Sequence, residues 1–234
     1  MWQAAYYALG SELLLTSPAQ TLKRVFELAG EKSFYVIIGS SFLRIMRGFL
    51  RALLIGSLLA VLSARFKYVH TLLQLPMNII KATPVASFVI LALIWISGRK
   101  LSGFISFLMV LPMVWSSVYE GIKSADSKLL EVAECYRLSR FDTLKAVYMP
   151  AVMPYLLSTA RVAMGFAWKA GIAGEVIAIP QNTIGAELYD AKVYLDTASL
   201  FAWTVVIICL SVIIEKLFTG LIERAGRKWG FGNV

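Results

Sequence analysis

Apolar positions in this chain fall in long, nearly unbroken runs. They show neither the alternation of a half-buried strand nor the single stripe of a soluble amphipathic helix. A helix needs ~20 mostly apolar residues to cross ~30 Å of hydrocarbon, and five runs meet that length. They lie at about 36–64, 74–97, 101–119, 151–178 and 197–214, separated by short polar loops. The first fifteen residues form a sixth, partial apolar helix that is short for a full crossing, so it tilts, lies at the interface, or represents a trimmed first span. Ser17 followed by Pro18 is a helix start of the cap-then-proline kind, and PAQTLKRVFELAG reads as a short amphipathic helix on the membrane surface that ends at Gly30. The pattern predicts an all-α polytopic membrane protein, with five core transmembrane helices and a short N-terminal helix in one domain over residues 1–234.

Composition narrows the class. With 59% hydrophobic and 16% charged residues in 234, the chain is too apolar for a soluble globule and too poor in charge for a solvated disordered polymer. Its two cysteines, Cys135 and Cys209, cannot build a disulfide scaffold. The balance of 23 Lys and Arg against 14 Asp and Glu gives +9, which in a soluble protein would suggest a nucleic-acid face. Here the cations cluster between the apolar runs, and the positive-inside rule accounts for them, so no nucleic-acid partner is expected. Alternating the loops puts Arg65, Lys67, Lys81, Lys123, Lys128, Arg137, Arg140, Lys145, Lys216, Arg224, Arg227 and Lys228 on one side. Lys23, Arg24, Lys32, Arg99, Lys100 and Lys192 fall on the other. The richer side marks the cytoplasm, which places the 120–150 loop and the C-terminus inside and the 98–101 turn and 180–196 loop outside. The N-terminal run has no basic residue ahead of it, which argues against a cleaved signal peptide.

The 120–150 loop, EGIKSADSKLLEVAECYRLSRFDTLKAVYMPAVMP, is the one substantial cytoplasmic segment. It reads as two short helices. Asp126 caps the first, whose Leu129, Val132, Ala133 and Tyr136 share a stripe. The second opens on Ser139 with Asp142 three residues later, a capping-box spacing, and closes before Pro150. Shape alone leaves two readings open: a solvated connector, or a helical hairpin that docks in a partner's groove and transmits a push.

The segment resembles the signature loop of permease subunits in binding-protein-dependent ABC importers, described as Glu-Ala-Ala, three residues, Gly, then nine residues to Ile-x-Leu-Pro. Glu131, Ala133, Val147 and Pro150 stand at those spacings, with Val132 and Met149 as substitutions and Arg137 at the glycine position. Arg137 deprives the turn of an unrestrained left-handed residue. Outside the loop, SPAQTLKRVFEL and the Ser41, Arg44 and Gly48 spacing are similar to the approach to the core spans in the nitrate, sulfonate and taurine branch. PYLLSTARVAMGFAWKAGIAGEVIA, with Ala167, Trp168 and Glu175, is similar to that branch's fifth helix, and IGAELYDAKVYLDTASLFAW to its outer loop and last-helix entry. The likeness covers about residues 17–230.

The resemblance implies an importer-permease (MetI-like) fold working by alternating access in a bacterial plasma or inner membrane. It implies a second permease subunit in a homodimer, ATPase subunits seated on the hairpins, and an extracytoplasmic substrate-binding protein that delivers a small polar or anionic solute. It also implies that Glu131, Ala133, Arg137, Ser139, Asp142, Val147 and Pro150 form the ATPase-coupling loop. No GxxxxGK[ST] motif occurs, so no ATP cofactor is expected on this chain, and ATP and magnesium would belong to the partner ATPase. The chain is expected to be a transport subunit rather than an enzyme.

Charges inside the spans mark candidate chemistry, because a Lys or Arg at mid-bilayer costs ~2.5–3.5 kcal/mol on insertion scales. Lys169, in FAWKAGIAGEV, either lines a path for an anionic or carbonyl-bearing solute or snorkels or pairs, with Glu175 or Glu120 as partner. Trp168, Lys169 and Glu175 are the candidate translocation-path residues. Glu175 either gates that path or neutralises the lysine. Arg44, Arg47 and Arg51 share a helix face expected to meet lipid phosphate or acidic protein groups. Pro84, Pro112 and Pro154 read as helix bends. A lone His70 makes no metal site. The rival class is a secondary transporter, which would show repeated halves with interrupted helices and midplane acids; no such halves are visible.

Overall fold

The computed structural model describes residues 2–10 and 14–228. Residues 1, 11–13 and 229–234 lie outside the described residues, as do the side chains of Leu9, Ala225, Arg227 and Lys228. Part of the expected N-terminal helix and the extreme C-terminus assigned to the cytoplasm fall there. The described residues form helices joined by turns and loops, without strand, in the order α1 (Trp2–Leu9), α2 (Pro18–Ala29), α3 (Lys32–Arg65), α4 (Lys67–Ala82), α5 (Val85–Ala92), α6 (Gly98–Lys123), α7 (Ser127–Cys135), α8 (Arg140–Thr143), a π-helical segment (Leu144–Tyr148), α9 (Met149–Ala178), α10 (Ile184–Val193) and α11 (Thr197–Lys228).

Among the described residues three helices are long and apolar enough to cross a membrane: α3, α6 and the Thr197–Arg224 part of α11. The expected 74–97 span differs in kind. It is a pair, α4 and α5, bent by 105° at a break. The cause is local, since Pro84 has no N–H to continue the ladder and crowds the residue before it, which leaves Thr83 extended at φ −83°, ψ 130°. Counted as one span, the pair makes a fourth. The 151–178 run lies in the 30-residue α9, which has the length but carries Arg161, Lys169 and Glu175 and stands outside that set. α1, with 8 residues, rises only ~12 Å. α2 begins as expected, Ser17 capping and Pro18 first in the helix, and Gln20 completes a capping box.

The chain divides into two compact units whose borders fall at the α4–α5 break and inside the long helices. The first comprises residues 1–47, 84–105 and 168–214. Its interior holds Ile45, Leu101, Ile105, Trp168, Ile184 and Trp203. Phe34 and Trp203 bring their rings to 5.3 Å, and the Trp2 indole N–H donates to the Thr16 carbonyl at 3.0 Å, which ties α1 down. The second comprises 48–83, 106–167 and 215–234. Small residues let its helices approach: a Cβ on Gly121 would lie 3.0 Å from the Val152 Cα, and one on Gly56 3.0 Å from the Val114 side chain. Hydroxyls join the same helices, Ser117 donating to the Tyr155 carbonyl (2.9 Å) and Trp115 Nε1 to Ser63 (2.9 Å). His70 stacks on Tyr119 with centroids 4.2 Å apart, an aromatic packing role.

Candidate functional site: the hairpin and the intramembrane charges

The hairpin belongs to the second unit. Asp126 starts α7, its carboxylate accepting from the Lys128 N–H at 2.8 Å. The helix ends in a Schellman turn, with Leu138 N–H donating to the Ala133 carbonyl and Arg137 N–H to that of Glu134, both at 2.9 Å. That turn needs a left-handed residue after the cap, and Arg137 supplies it at φ +51°. Arginine thus occupies the glycine position without changing the turn. Ser139 starts α8: its hydroxyl accepts from the Asp142 N–H at 3.2 Å and donates to the Asp142 carboxylate at 2.6 Å. The serine half of the expected box is present, while the acid returns to the hydroxyl rather than to the cap's backbone N–H.

The second hairpin helix does not close before Pro150. α8 passes through the π-helical segment directly into α9, with Met149 N–H donating to the Leu144 carbonyl. A wide turn of this kind feeds Pro150 into the first turn of a new α-helix, where its missing N–H breaks no bond. Ala133 and Val147 face inward and are buried, whereas Glu131, Arg137, Ser139, Asp142 and Pro150 are exposed. Leu129, Val132, Tyr136 and Phe141 are also exposed, Tyr136 by 78% and Phe141 by 71%. Of the predicted stripe only Ala133 packs onto the chain itself, so the hairpin keeps a face of large apolar side chains with no cover among the described residues.

In the first unit, Glu175 of α9 is completely buried. Its carboxylate accepts from the Ser41 hydroxyl at 2.8 Å and from the Gly185 N–H at 3.4 Å. Ser41 in turn accepts from the Ile184 N–H at 3.1 Å, and Thr183 caps Ala186 N–H at 3.2 Å. Three consecutive orphan N–H groups at the start of α10 are thereby satisfied, two of them by groups on the long helices. The approach leaves no room for a side chain: a Cβ on Gly185 would lie 2.3 Å from that of Glu175. Trp168 is 2% exposed and packs inside the same unit.

Lys169 lies on the outer face of α9 and is exposed. Glu175 does not pair with it, being engaged by Ser41 and α10. Among the described residues the ion pairs are Lys23 and Arg24 with Glu27, and Arg161 with Glu223. Lys169 therefore carries a charge in an apolar helix without a counter-ion, and Arg47 and Arg51 are likewise exposed on α3. Ser41 is the residue whose partnership the sequence alone did not reveal; the available signal was a hydroxyl on the otherwise apolar buried stripe of α3.

Residues 52–227 match the family described as the binding-protein-dependent transport system inner membrane component. The taurine transport system permease protein of Escherichia coli (strain K12) is 25% identical over 229 residues, covering 95% of this chain and 83% of that protein. The putative aliphatic sulfonates transport permease protein of Bacillus subtilis (strain 168) is 22% identical, covering 94% and 79%. The nitrate import permease protein of Synechocystis sp. (strain PCC 6803) is 24% identical, covering 82% and 72%.

Proposed function

The chain belongs to the inner membrane components of binding-protein-dependent transport systems, and from that membership we propose that it is the permease of an ATP-driven importer. In this reading two copies form the translocating unit, an external binding protein loads it, and ATPase subunits holding ATP and magnesium seat on the hairpins from the cytoplasm. Closure of the ATPases draws the hairpins together and switches the spans between inward- and outward-facing states. The cargo is a small anionic or polar solute of the nitrate, sulfonate or taurine kind, or a vitamin-precursor heterocycle. Lys169 meets it in the path, with Trp168 and Glu175 supporting the helix behind. An uncompensated cation on a membrane helix favours the anionic choice.

The observation that carries the reading is the exposed apolar face of the hairpin, because such a face on a charged cytoplasmic loop costs solubility unless a partner covers it. Val132→Asp combined with Tyr136→Asp changes only exposed positions and leaves the Asp126 and Ser139 N-caps intact. The expected result is a normally inserted protein that no longer co-purifies with its ATPase and whose ATP-dependent uptake falls at least tenfold. Uptake that persists without any ATPase and follows an ion gradient would instead identify a secondary transporter.

A further inference from the structure

Where the hairpin rejoins the spans, the second unit contains a cavity of about 450 Å³. Val61 and Arg65 from the end of α3, Ile122 from α6, Tyr148 from the π-helical segment, and Val152 and Leu156 from α9 form its walls. The volume lies within the ~300–1,000 Å³ typical of ligand sites. Val61 and Arg65 are exposed, so the cavity opens sideways out of the unit rather than being sealed by packing. Apart from Arg65 and the Ser57 and Tyr148 hydroxyls its lining is apolar, which gives water few partners there. A soluble metabolite would strand its polar groups in the same interior.

Charge stands only at the mouth. Arg65 is the last residue of α3, its guanidinium lies 5.3 Å from the Phe66 ring centroid, and it has no ion pair among the described residues. An occupant matching this arrangement has an apolar tail and an anionic head. We propose that the cavity binds one acyl chain of an anionic phospholipid, with the lipid phosphate held by Arg65. The positive-inside assignment places Arg65 at the cytoplasmic interface, at headgroup depth, where an arginine attracts acidic lipid. One cavity wall is the π-helical segment joining the hairpin to α9, so a bound chain braces the joint through which hairpin movement reaches the spans. π-Turns inside helices recur at functional sites. Lipid binding does not rest on the identity of the cargo or on the importer reading; only the bracing of the joint does.

The test uses the full-length protein purified in mild detergent and exposed to equal amounts of phosphatidylglycerol and phosphatidylcholine, with retained lipid counted by native mass spectrometry. The wild-type protein is expected to retain phosphatidylglycerol selectively. Arg65→Gln lowers that preference about fivefold, the weight of one basic residue near a lipid surface, while Arg65→Lys keeps it. Leu156→Trp, which fills the cavity, lowers retention of both lipids, and Lys192→Gln, an exposed cation on α10 outside the cavity, changes neither. An unaltered preference in Arg65→Gln, where the exposed side chain threatens no packing, would overturn the proposal. So would efficient disulfide cross-linking between two copies carrying Val61→Cys in lipid-rich membranes, which would make a second copy the occupant.

Discussion

Arg137 holds a backbone conformation that glycine reaches freely and that costs other residues about 1–2 kcal/mol. The Schellman bonds around it overcome that cost, so relieving it should add stability. Arg137→Gly is expected to raise the melting midpoint of the purified protein by the equivalent of about 1 kcal/mol, partly offset by the greater entropy of glycine in the unfolded chain. Differential scanning fluorimetry in detergent reads this directly, and a drop in midpoint would mean that the arginine side chain, not its backbone, holds the turn. On α10, burial raises the affinity of Glu187 for its proton, and Asp190 and Glu31 add to the effect. The folded protein thus binds that proton more tightly than the unfolded chain. The stability Glu187 contributes is present in acid and is lost as the pH rises through its raised folded pKa. Glu187→Gln should therefore melt higher than wild type at neutral pH, and the gain should vanish once the buffer lies below the ordinary glutamate range.

At the scale of elements, what was legible in the sequence depended on whether the cause was local. Apolar runs located α3, α6 and α11, and short-range chemistry located Ser17, Asp126 and Ser139 as helix starts, because a cap bonds within three residues of itself. Pro84 was visible as a bend, and the same local chemistry, an extended Thr83 before a residue without an N–H, carries it to a full break. The continuous passage from α8 into α9 was hidden because Pro150 ordinarily signals a stop, and only a π-turn removes the conflict. The hairpin's apolar stripe was legible in position, and of its four members only Ala133 faces the chain while Leu129, Val132 and Tyr136 are exposed. Long-range partners leave no local trace, so Glu175 could be read as a gate or a counter-ion, whereas the structure uses it as an anchor for α10 across 134 residues from Ser41. The anchor gives a sharp expectation. A methyl group at position 185 has no space against Glu175, so Gly185→Ala should displace α10 and cost at least about 1–3 kcal/mol, seen as new protease sensitivity in the 179–196 segment. An unchanged digestion pattern would show that α10 is not clamped as described.

For the molecule as a whole, the decisive question is why a membrane protein keeps on α9 a lysine with no ion pair among the described residues. Lys169 lies about 14 Å of helix axis before Ala178, far enough from that end for a bilayer to penalise the charge. If the side chain served stability, by snorkelling or pairing, removing it would lower the melting midpoint and leave transport specificity intact. If it lines the path, removal relieves an insertion cost of ~2.5–3.5 kcal/mol and takes away the attraction that draws an anion inward. The two roles therefore predict opposite signs in two measurements. Lys169→Ala is expected to be at least as stable as wild type, to keep its ATPase partner on the hairpin, and to import an anionic solute about tenfold more slowly in proteoliposomes, while Lys169→Arg retains most of the rate. A less stable variant with an undiminished rate would assign the lysine to structure. A path for the proposed anionic solute would then have to be drawn from the exposed Arg47 and Arg51 face of α3 instead.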